Sequence, residues 1–170
     1  MKKTLLATVI SFAASSWLAA APQLSVTGYR STITITQASE HHRIRLPDGV
    51  GVDMDDAVLL ARQHVGGFQY LVFFVTGPSR RGGNGMGHCG AGVESSIVWL
   101  RLQDWRITDS KQRQVESCWR DVTLLEPIRW KNGICIVSFW DFRDNNQEFT
   151  LRYDPKKPTE GFQLTSKPFN

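Results

Sequence analysis

Phe68-Gln69-Tyr70-Leu71-Val72-Phe73-Phe74-Val75-Thr76 is the stretch that decides the fold class. Aromatic and β-branched side chains fill it almost without a polar break. That composition favours a pleated strand, and the lack of alternation marks a central, buried one. Downstream, Ser95 to Ile107 reads as a second long strand, with Ile97, Trp99 and Arg101 on one face and Val98, Leu100 and Leu102 on the other. Thr108-Asp109-Ser110-Lys111 then reads as a polar hairpin tip, with Gln112 to Trp119 as the return strand. Leu124 to Trp130 and Ile134 to Trp140 flank Lys131-Asn132-Gly133, and Asn-Gly is a strong signal for a two-residue hairpin. Phe149 to Tyr153 and Gly161 to Thr165 are late strands separated by a Pro- and Lys-rich turn.

Upstream, Val26 to Thr36 alternates Ile33 and Ile35 with threonines, the pattern of a half-buried strand. Arg43 to Leu46 alternates again and stops at the turn Pro47-Asp48-Gly49. Asp53 to Gln63 is the one stretch that reads as a helix. Asp53 suits its N-cap, Asp55 and Asp56 suit the positive end of the dipole, and Gly66-Gly67 would end it. The expectation is a single domain, all-β or β-rich with one short helix. Its sheets would be antiparallel, forming a sandwich or an open barrel-like body.

The chain has 170 residues and a formal charge of +4. Met1-Lys2-Lys3, an uncharged apolar run from Thr4 to Leu18 and the small residues Ala19-Ala20-Ala21 make a secretory signal peptide. We place it at residues 1–20 and the β-rich domain at 21–170. Lys2 and Lys3 leave with the leader, so the charge falls to +2. No block of five like charges exists, which disfavours a nucleic-acid partner. No later stretch is apolar enough to span a membrane as a helix. The expected location is the periplasm, an oxidising compartment that permits disulfides.

Seven of the 14 glycines fall between Gly77 and Gly92. Gly85-x-Gly87-x-x-Gly90 matches a dinucleotide fingerprint in form only. That fingerprint needs a following helix, and here Val93-Glu94-Ser95-Ser96-Ile97-Val98 leads into a strand. No cofactor is expected. Cys89 could act as a nucleophile, with His88, His64, His41 or His42 as base, and Arg80 and Arg81 would lower its pKa. In an exported chain a disulfide is the better account. Cys135 sits inside Ile134-Cys135-Ile136-Val137 and reads as a packed free thiol. Cys89 and Cys118 lie beside loop-like sequence and form the expected pair, with Cys118–Cys135 as the alternative. No metal site is expected. His41-His42 would point to opposite faces of a strand, and no spaced His or Cys pair is present.

The remaining candidate is a binding surface. The hairpin residues Thr108, Asp109, Ser110, Lys111 and Gln112 are polar but stand on apolar roots, so a rigid ribbon would present them to another protein. Arg80 and Arg81 would supply a second contact loop. The leader, the size, the segment Gly87-His88-Cys89-Gly90-Ala91-Gly92-Val93-Glu94, the later Ser117-Cys118 and the polar hairpin together resemble periplasmic immunity proteins of type VI secretion amidase effectors. The resemblance implies a non-catalytic member of a toxin–antitoxin pair, whose partner is its cognate cell-wall hydrolase. It also implies that a loop plugs the cleft of the peptidoglycan amidase, where a serine hydrogen-bonds the catalytic histidine. Ser110 is the matching residue, with Asp109 beside it. A lysozyme inhibitor and a periplasmic hydrolase using Cys89 are the alternative readings.

Overall fold

The computed structural model describes residues 24–47, 54–79, 92–143 and 147–168. Twelve strands occupy them: β1 Leu24–Tyr29, β2 Thr32–Gln37, β3 Glu40–Arg45, β4 Asp56–Val65, β5 Phe68–Pro78, β6 Val93–Gln103, β7 Arg106–Ser117, β8 Val122–Leu124, β9 Arg129–Lys131, β10 Ile134–Asp141, β11 Gln147–Tyr153 and β12 Phe162–Pro168. A single 3-10 turn, Pro158–Glu160, precedes β12. All pairings between strands are antiparallel. Strands β1-β2-β3 form a small sheet. The rest form an open nine-stranded sheet in the order β12-β11-β10-β8-β7-β6-β5-β4, with β9 beside β10. The all-β, antiparallel, single-domain expectation holds.

Strand β5 explains why its sequence lacks alternation. Leu71, Phe73 and Val75 face one core with Ile33, Ile35 and Ile44 of the small sheet. Tyr70 and Val72 face a second core with Val137, Phe139, Leu151 and Tyr153 of β10 and β11. Strand β6 repeats the arrangement, with Val98, Leu100 and Leu102 on the first core and Ile97 and Trp99 on the second. The body therefore has three layers. The small sheet covers one face of β4–β7, and the β8–β12 half of the large sheet folds back over the other. This folding is possible because β7 and β8 share only the pair Ser117↔Val122.

Two contacts fix the small sheet. Arg30 and Met54 form an isolated antiparallel bridge, with Arg30 N–H donating to the Met54 carbonyl at 2.5 Å and Met54 N–H donating back at 3.2 Å. Beside it, Gly28 lets β1 approach β4. A Cβ built on Gly28 would lie 2.7 Å from Met54 Sδ and 3.0 Å from Ala57 Cβ, too close for either to stay in place.

Several sequence expectations are corrected. The stretch 53–63 is not a helix: Met54 bridges to Arg30, and from Asp56 on the segment belongs to β4, paired with β5 from Asp56↔Thr76 to Val65↔Phe68. A β-bulge between Leu59 and Ala61 breaks the alternation, so the segment lacks the period-two pattern of a regular strand. Gly66-Gly67 is the two-residue hairpin that follows, with both φ values positive (60° and 81°). Val26 to Thr36 is two strands joined at Arg30-Ser31. Leu124 to Trp130 is split between β8 and β9. Thr108-Asp109-Ser110-Lys111 is not a hairpin tip but lies within β7. The tip is Asp104-Trp105, since Gln103 pairs with Arg106. Asn132-Gly133 does close a hairpin, between Lys131 and Ile134.

Candidate functional site

Three two-residue hairpins place both loop residues in the left-handed region: Gly66-Gly67, Asp104-Trp105 and Asn132-Gly133. Glycine and asparagine are the residues such a turn wants. Asp104 (φ 48°) tolerates it, because its short side chain can bond locally, but Trp105 (φ 62°) is a bulky residue in a conformation such residues rarely adopt. Strain of this kind costs on the order of 1–3 kcal/mol and persists where the surroundings over-determine it.

The surroundings of Trp105 do so. His42 stacks on its ring at 3.7 Å between centroids and 7° between planes. The Arg62 guanidinium lies over the same ring system at 5.8 Å from the centroid. Register explains the gathering. On β2 and β3, Ile35 pairs with His42, and Ile35 faces the first core, so His42 points inward. On β4, the bulge shifts the pleat by one residue. Ala57 and Leu59 face the first core before it and Ala61 faces the second core after it. Arg62 consequently points to the first-core side, paired with Leu71. Arg62 donates to Gln37 Oε1 at 2.9 Å and to Gln69 Oε1 at 3.3 Å. These residues form a polar mouth at the edge where the small sheet packs on β4–β7. Glu40 reaches His42 Nε2 at 3.3 Å across its rim.

The residues read from sequence as the partner-binding tip sit farther down β7 and do not share one face. Asp109 pairs with Arg101 and Lys111 with Trp99, on the second-core side; Ser110 pairs with Leu100 and Gln112 with Val98, on the first-core side. Most are engaged within the molecule. Thr108 Oγ1 accepts from Arg101 Nε at 3.0 Å and donates to the Arg101 carbonyl. Asp109 accepts from the Ser110 N–H at 2.8 Å. Lys111 Nζ donates to the Glu160 carbonyl at 2.7 Å and lies over the Trp99 ring. Gln112 donates to Ser96 Oγ at 3.0 Å. Ser110 is half-buried, and between Arg106 and Glu116 β7 pairs with β6 alone, so its second edge is open among the described residues. Arg80, Arg81, His88 and Cys89 lie outside the described residues, as do residues 1–20.

Cys118 is disulfide-bonded and Cys135 is a buried free thiol, which rules out the Cys118–Cys135 alternative. Burial pushes the Cys135 thiol up to about 11 from its ordinary 9.0, and burial, Asp154 and Cys135 together raise the Tyr153 phenol. At pH 8 the raised thiol holds roughly a hundredfold less thiolate than an unperturbed one. Cys135 is therefore expected to label at least a hundredfold more slowly in the native protein than in the unfolded chain, measured by alkylation and peptide mass mapping. Equal rates would show that the β10–β11 core opens freely.

Trp105 was missed from sequence because Asp-Trp is not a turn dipeptide. The available signal was the switch in polarity at Gln103-Asp104, after Leu102. Among the described residues, no helix is long and apolar enough to cross a membrane. Comparison with family models, with curated proteins and with solved structures finds no match for this chain.

Proposed function

We propose that this chain is an exported inhibitor, an immunity protein that binds a peptidoglycan amidase effector in the periplasm and occludes its active-site cleft. The observation that carries the reading is the Trp105 tip: a bulky aromatic in a strained backbone conformation at a hairpin end, stacked on His42 and half-buried against the first core, so that it is held rigidly with only part of its surface open to a partner. Tryptophan and arginine are the residues that most often dominate protein–protein binding energy, and rigid support lowers the ordering cost of association. The inhibitory element is thus the β6–β7 hairpin, with the exposed Asp104 meeting the cleft first, the open edge of Trp105 behind it and Ser110 following along the open edge of β7. A hydroxyl both donates and accepts, so Ser110 can meet a catalytic histidine in either tautomer.

Co-purification with a candidate amidase, followed by titration of its activity, tests this. Trp105→Gly keeps a residue suited to the positive φ, so the turn survives while the ring is lost. It is expected to weaken the complex by about 2 kcal/mol or more, roughly thirtyfold in Kd. Ser110→Arg should weaken it separately. Inhibition of lysozyme but not of any amidase would replace the partner class. An unchanged Kd in both variants would remove the hairpin from the interface.

A further inference from the structure

The mouth beside Trp105 holds a charge that lacks a counter-ion among the described residues. Arg62 is exposed, yet its guanidinium is fixed on three sides: Gln37 from the end of β2, Gln69 from β5, and the Trp105 ring from the β6–β7 turn. Both hydrogen-bond acceptors are neutral amides. No carboxylate among the described residues lies within ion-pair distance of Arg62. The nearby Glu40 is instead at His42, with its side chain 76% exposed and that of His42 20% exposed. A guanidinium carries five N–H donors in a planar fork, and the two glutamines use one each on Nη1 and Nη2. The fork is thus oriented in advance with donors to spare, an arrangement that matches a carboxylate bidentately.

The β4 bulge strengthens the case. An unbulged β4 would turn Arg62 toward the second core and leave the mouth without its guanidinium. Bulges re-aim side chains in this way near binding sites.

We propose that this mouth is a receptor for a carboxylate on an acidic segment of the partner protein, with Arg62 as the anchor and the stacked Trp105–His42 pair as the platform beside it. The proposal deepens the inhibitor reading by naming the chemistry of the partner's contact surface, and it rests on that reading for the partner's being a protein. Carboxylate capture itself can be measured without any hydrolase.

The test uses the mature protein and tetraglutamate peptide, followed through the Trp105 indole N–H resonance, assigned with Trp105→Phe. A saturable shift is expected, weakened as salt rises. Arg62→Lys keeps the charge but loses the planar fork, and should bind about tenfold more weakly. Arg62→Gln should abolish the shift, with its melting temperature confirming an intact fold. Tetralysine should leave the resonance unmoved. A shift that survives Arg62→Gln, or that inorganic phosphate reproduces at equal concentration, overturns the proposal in favour of non-specific anion binding. Failure here with an intact amidase complex would sink the mouth alone. Failure of the complex with intact peptide capture would sink the amidase reading instead.

Discussion

Replacing Trp99 by alanine is expected to lower the stability of the protein by about 3–5 kcal/mol, the range for truncating a buried aromatic. Trp99 leaves β6 toward the second core and is 1% exposed. Its ring lies 6.0 Å from that of Tyr70 between centroids, and Lys111 Nζ stands over it at 5.7 Å. Its indole N–H donates to the Pro158 carbonyl at 3.0 Å, across 59 residues of sequence. Trp99 thus ties the middle layer to the turn that starts β12, and Lys111 makes a parallel tie to Glu160. Trp99→Phe separates the two contributions. It keeps most of the buried area and removes one of the two donors to the Pro158 carbonyl, the other being the Gly161 N–H at 3.3 Å, for an expected loss of about 0.5–1.5 kcal/mol. Urea unfolding at constant m measures both variants. A loss below about 1 kcal/mol for Trp99→Ala would mean that the third layer is not held by this residue.

The second large effect is expected at Arg113. Its Nη2 bonds Asp141 Oδ2 at 3.2 Å, and its guanidinium lies 4.8 Å from the Phe149 centroid and 5.2 Å from that of Phe139. The Asp141 side chain is only 5% exposed, and its other oxygen accepts from the Arg143 N–H at 3.2 Å. This pair spans β7 and β10 beside the one-residue link between β7 and β8. Arg113→Met keeps the aliphatic packing but strands a buried carboxylate, so a loss of about 3–5 kcal/mol is expected. Adding Asp141→Leu removes that carboxylate and should restore much of the loss. The double-mutant cycle is the measurement. Additive single effects would show that the two side chains are not coupled and that the fold-back of β8–β12 is held elsewhere.

Much of the architecture was legible because the strongest local signals agreed with the tertiary structure. The unbroken apolar run of β5 and the two-sided pattern of β6 announced strands buried on both faces. Asn132-Gly133 announced its hairpin, and the aliphatic neighbours of Cys135 announced a packed thiol. The errors arose where local pattern and tertiary environment diverged. One extra residue in β4 broke the period-two pattern, so a bulged strand looked like a short helix. In β7 the polar run from Thr108 to Lys111 looked like a hairpin tip, although it is strand. Its side chains lie along an open edge, bonding to β6 and to the segment before β12 instead of filling a core. Asp104-Trp105 carries no turn signature, so the true tip was displaced by the more polar residues after it.

The sequence by itself determined an antiparallel β protein with a central two-sided strand, because burial on both faces demands continuous apolar side chains. The three-layer arrangement, the fold-back at β8 and the meeting of Arg62, His42 and Trp105 were decided by tertiary structure. Those residues are 20 and 43 positions apart in sequence. They meet because strand register and one bulge turn them toward the same mouth, and neither register nor bulge is written in the residues that meet.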